Sequence, residues 1–78
     1  MSEISFDDFS GKVADLLQIE KKTLLLCELS DISEYDSMAK INISLLIEEI
    51  FGFQIEYEHL DSASKIEDLF DICLRERS

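Results

Sequence analysis

The chain has 78 residues, 46% of them apolar and 32% charged, which suits one small globular domain over residues 1–78 and excludes a disordered acidic tail. Acidic residues outnumber basic ones 18 to 7, and the formal charge of −11 repels phosphate backbones and anionic membranes, so partners are expected to be basic proteins rather than nucleic acid. With no proline and only Gly11 and Gly52 as glycines, the punctuation of an all-β sandwich is missing and helices are the default.

The N-terminal stretch MSEISFDDFSGKVADLL mixes acids among its apolar residues and reads as no signal peptide. Within it Phe6, Phe9, Val13, Leu16 and Leu17 recur at helical spacing, which predicts an amphipathic helix over about residues 4–18. Gly11 weakens that helix by about 1 kcal/mol relative to alanine without breaking its period. Residues 19–36 have no clean period. The run Leu24, Leu25, Leu26, Cys27 reads equally as a turn of helix or a short strand, and a connection this long is expected to pack across the fold through its leucines.

From Ser37 to Phe51 the pattern is the strongest helix in the chain, stopped at Gly52 by a left-handed cap. The following FQIEYEHLDSAS holds only a short turn or helix. A last helix starts at Ser64, whose spacing to Glu67 forms a capping box, and continues through Ile66, Leu69, Phe70 and Cys73, with Arg75 and Arg77 complementing its C-terminal dipole. The expected fold is all-α: a small bundle of three main helices plus a short helix, with a long first loop. No window reaches the length of a membrane span. Cys27 and Cys73 are too few and too far apart for a metal motif and suit reduced thiols in the cytoplasm.

The helix after Ser37 has two apolar faces. At about 100° per residue, Ile43, Leu46, Ile47, Ile50 and Phe51 form a broad core face. Met38, Ile41 and Leu45 cluster roughly opposite, and a bundle of this size has little left with which to cover them. That second stripe either packs under the long loop or serves as a docking surface rimmed by Glu48 and Glu49, suited to a basic, partly apolar partner. At the start of the helix, Asp36 is available as the N-cap. Ser37 then takes the first helical position with its hydroxyl free, where an attached phosphate would meet unpaired N–H groups and the positive end of the helix dipole.

Asp36-Ser37-Met38, followed by Ile41, Ile43, Leu45, Glu48, Glu49, Phe51 and then Ile55, resembles the acyl carrier proteins and related phosphopantetheine carriers, whose second helix opens on Asp-Ser-Leu. The likeness extends to length, acidity, the long first loop and the last helix entered through Ser64. It implies that a phosphopantetheinyl transferase attaches 4′-phosphopantetheine from coenzyme A to the Ser37 hydroxyl, with acyl groups carried as thioesters on the arm. It also implies that Asp36 orients the serine and binds the magnesium ion shared with the transferase during loading. Met38, Ile41, Leu45, Glu48 and Glu49 match positions that face acyl-loading and acyl-processing enzymes with basic docking patches. By this resemblance the protein is a cytoplasmic monomer of a fatty-acid, polyketide or other specialised pathway and not an enzyme.

Glu34-Tyr35 stands where the family's common form has a glycine two residues before the aspartate, and Ala39 and Asn42 stand where fatty-acid carriers have acids, with Lys40 adding a positive charge. A specialised, free-standing carrier is the resulting expectation. Its modest stability is expected to let the first loop and the short helix shift to admit an acyl chain. Two other readings compete: an aminoacyl or peptidyl carrier, and an unmodified acidic interaction module in which Ser37 only begins a helix. His59 has no serine or cysteine partner in sequence, and the pairs Asp7-Asp8 and Glu48-Glu49 lack the spacing of a calcium loop, so neither supports catalysis or a metal site.

Overall fold

A computed structural model describes residues 4–76 as an all-helical bundle: α1 Phe6–Leu17, α2 Lys21–Leu26, a 3-10 turn Leu29–Asp31, α3 Ser37–Phe51, α4 Tyr57–Ser62 and α5 Ile66–Glu76. The three long helices α1, α3 and α5 are those the periodicity predicts. Arg75 lies in the last turn of α5, while Arg77 lies outside the described residues.

Local chemistry sets the boundaries. Ser5 caps α1, its Oγ accepting the Asp8 N–H at 3.1 Å, and Asp7 and Asp8 place negative charge in the first turn. Gln18 closes the helix in the left-handed conformation at φ 61°, donating its N–H to the carbonyls of Ala14 and Asp15. Gly52 ends α3 in the same way at φ 81°, its N–H on the Glu48 carbonyl at 2.9 Å, as the sequence leads one to expect.

Two boundaries differ from expectation. α5 begins at Ile66, and the reciprocal capping contact is made by the Lys65 N–H donating to Asp68 Oδ2 at 3.2 Å instead of by the Ser64 and Glu67 pair. Adjacent acids at 67 and 68 allow either register, and the Ser64 carbonyl is already engaged by the Leu29 N–H at 2.7 Å. The second difference is that the segment 19–36 is partly regular: its leucine run is helical, as α2, and the 3-10 turn follows. Leu24 and Leu29 are fully buried and anchor the segment, but Leu26 is 70% exposed, so only part of the leucine run packs.

One core runs through the bundle. α1 packs against α2, α3 and α5, and α4 sits against α3 and α5. All five phenylalanines gather at one end, where Phe9 and Phe70 have ring centroids 5.3 Å apart and Phe6, Phe51 and Phe53 complete the group. Phe51 closes α3, so this aromatic end lies about 21 Å along the helix from Ser37. Ile43 and Ile47 are fully buried, while Leu46, Ile50 and Phe51 are partly buried against the same core, so the predicted inner face of α3 is the observed one.

Candidate functional site

The start of α3 is built by a cap and an anchor. Asp36 is the N-cap, with extended backbone, and its Oδ1 accepts the Ala39 N–H at 2.9 Å. The Asp36 carbonyl accepts the Lys40 N–H, which begins the helical ladder. Ser37 is therefore the first helical residue and is exposed, and its own N–H and that of Met38 have no acceptor within the helix. An exposed hydroxyl beside free N–H groups at the positive end of a 15-residue helix can receive and stabilise a phosphate ester. These residues fit the attachment of a phosphopantetheine.

Immediately upstream, Tyr35 turns inward. It is 8% exposed, and its hydroxyl donates to the Leu60 carbonyl at 2.5 Å. Burial, with the nearby Asp61 and Tyr57, raises its pKa well above the ordinary 10.0. The aromatic residue before Asp36-Ser37 thus fixes the approach of the chain to the helix start.

Lys40 turns the same way. Its ammonium bonds Asp61 Oδ1 at 2.6 Å and lies 5.3 Å from the ring centre of Tyr35 and 5.8 Å from that of Tyr57. The hydrogen bond to Asp61 raises its pKa against the opposing effect of burial. Its charge is consumed between α3 and α4 instead of being added to the outer face. Ala39 is buried, so the absence of an acid there is a packing requirement, while Asn42 is exposed. Neither Lys40 nor Asp61 could be paired from sequence, since 21 positions separate them.

Along the outer side of α3, Met38, Ile41 and Leu45 are 68%, 50% and 59% exposed, which removes the possibility that they pack under the first loop. Glu48 and Glu49 are exposed further along the helix, so the five residues from Met38 form a strip about 16 Å long leading away from Ser37. Adjoining the strip and sharing Met38 with it, an open depression of about 250 Å³ runs towards the end of α1, lined by Leu16, Gln18, Glu34, Asp36, Met38 and Asn42 among others. A larger open groove of about 1120 Å³ follows α1 and α2 past Asp7, Asp8 and Lys12 and includes no residue from 33 to 45.

His59 lies in α4 with Nε2 3.8 Å from Glu56 Oε1, a local pairing. Among the described residues no three His, Cys, Asp or Glu side chains are grouped to hold a metal ion, and no helix is long and apolar enough to cross a membrane. Comparison with protein families, with characterised proteins and with solved structures returns no match to this chain.

Proposed function

We propose that this protein is an acyl carrier that holds acyl intermediates as thioesters on a 4′-phosphopantetheine arm attached to Ser37 and presents them to enzymes with basic docking patches. What carries this reading is the division of labour at the start of α3. Asp36 performs the capping that a serine at a helix start ordinarily performs, so Ser37 is left exposed with no capping duty. The strip of Met38, Ile41, Leu45, Glu48 and Glu49 beside it supplies an apolar patch with an acidic rim, suited to fast, transient encounters with successive basic partners. In this reading the chain does no chemistry itself. It works in the cytoplasm as a monomer, and Asp36 lends a carboxylate oxygen to the magnesium ion that the transferase brings.

The test is intact mass before and after incubation with coenzyme A, magnesium and a broad-specificity phosphopantetheinyl transferase, with Ser37→Ala as control. Gain of one phosphopantetheine, lost in the variant, is the expected result. No gain in folded protein with several transferases would return Ser37 to a helix-start residue and favour an acidic interaction module.

A further inference from the structure

α4 is six residues long and its N-cap, Glu56, makes no side-chain capping bond, so this helix is held by its surroundings. Three things hold it. Leu60 is fully buried, with Ile55 and Ala63 buried on either side. The Tyr35 hydroxyl donates to the Leu60 carbonyl at 2.5 Å. Lys40 bonds Asp61 at 2.6 Å while lying over the rings of Tyr35 and Tyr57. Tyr35 and Lys40 stand two residues before and three residues after Ser37, so these contacts close the seam between α3 and α4 beside the attachment point.

We propose that Tyr35, Lys40 and Asp61 latch α4 against the start of α3, so that a group tethered at Ser37 stays outside the core and the cargo is a short or polar acyl group instead of a long apolar chain. The cargo half of this inference rests on the carrier reading above. A chain entering the seam would part Tyr35 from Leu60, leaving a buried carbonyl without its donor, and would draw Lys40 away from a carboxylate and two rings. Beneath the seam Ile43, Ile47 and Leu60 are fully buried in one cluster with Tyr35, with no exposed surface to receive a chain. The depression on the other side of Ser37 from the seam is open and lined half by Leu16, Leu17, Met38 and Ala39 and half by polar residues, so it offers an arm or its cargo a surface groove and no enclosed tunnel. The geometry thus points away from the sequence expectation that the short helix shifts to admit a chain.

Hydrogen exchange separates the two halves. In the unmodified protein, Tyr35→Phe together with Asp61→Asn should speed exchange at His59 to Ala63 by about tenfold while α1 and α5 keep their protection. Should that double variant lose protection everywhere, Asp61→Asn alone is used, with about a threefold increase expected in α4. Unchanged exchange in α4 overturns the latch. Wild-type protein is then loaded from acetyl- and decanoyl-coenzyme A, with equal α4 exchange and equal cleavage of both thioesters by hydroxylamine expected. Slower cleavage of the decanoyl thioester, or altered α4 exchange with that cargo alone, overturns the cargo assignment. Failure to load at Ser37 defeats the carrier reading and the cargo assignment together, while the exchange of the unmodified variants still decides the latch.

Discussion

The carboxylate of Asp36 accepts the backbone N–H of Ala39 at 2.9 Å, so the residue before Ser37 closes the first turn of α3. Asparagine caps as well as aspartate, whereas alanine loses about 1 kcal/mol of stability. Asp36→Asn should therefore leave the urea midpoint nearly unchanged, and Asp36→Ala should lower it. If Asp36 serves only the cap, the asparagine variant loads at Ser37 like wild type. If it also binds magnesium, both variants load slowly, and this is the expected outcome of transferase kinetics measured beside the unfolding curves.

Stability should fall on the alkaline side. Burial raises the Cys73 thiol from 9.0 to about 12. Burial, then Asp61 and Tyr57, raise Tyr35 above 10.0, and the hydrogen bond to Asp61 raises Lys40 above 10.5. In each case the folded state favours the protonated form. Each contribution is complete below the unfolded value and is lost as pH climbs towards the folded one. Cys73 and Tyr35 leave stability level below pH 9.0 and then lower it by about 1.4 kcal/mol per pH unit for each of the two in its window, with Lys40 acting in the same direction. Urea unfolding across the alkaline range checks this. Tyr35→Phe should cost about 1 to 3 kcal/mol at neutral pH, because the Leu60 carbonyl loses its donor, and should flatten the slope above 10.0.

What was legible in the sequence was what is local. The periods of α1, α3 and α5 and the stop at Gly52 repeat over a few residues, and so does the choice of Asp36 as cap with Ser37 following it. α2 was not legible, because Leu24, Leu25 and Leu26 in a row fit a helix turn and a strand alike; what distinguishes them is that Leu24 is buried and Leu26 is not. The contacts that surround Ser37 from α4 were invisible for a different reason. Tyr35 meets Leu60 across 25 positions and Lys40 meets Asp61 across 21, and no periodicity encodes a pairing of that range. From its local sequence Lys40 reads as a surface charge, whereas its partner Asp61 lies on α4.

The two glycines should respond oppositely to alanine. A Cβ at Gly11 meets nothing within 4 Å, so Gly11→Ala should add about 0.5 to 1 kcal/mol through helix propensity. Gly52 has equally open space but sits at φ 81°, where Gly52→Ala should cost about 1 kcal/mol. Thermal unfolding of the pair decides between them. A rise in melting temperature for both would mean that α3 ends without the left-handed residue.

Ile41 and Ile43 are two positions apart on α3 and differ from 50% exposed to fully buried, so the same helix supplies both a surface probe and its control. Ile43→Ala should cost about 2 to 5 kcal/mol, a large fraction of the stability of so small a domain. Ile41→Arg should change stability by no more than about 0.5 kcal/mol, because its side chain is half exposed and lies outside the core cluster. Placed among Met38, Leu45, Glu48 and Glu49, that arginine should still slow loading by a basic transferase, by repulsion and by loss of apolar contact. Glu48→Gln with Glu49→Gln should slow it mainly at low ionic strength, since salt screens exposed charges and steering acts on the association rate. Loading rates for these variants across a salt series, with circular dichroism to establish the fold, distinguish a docking strip from an idle surface: an idle surface leaves every rate at the wild-type value.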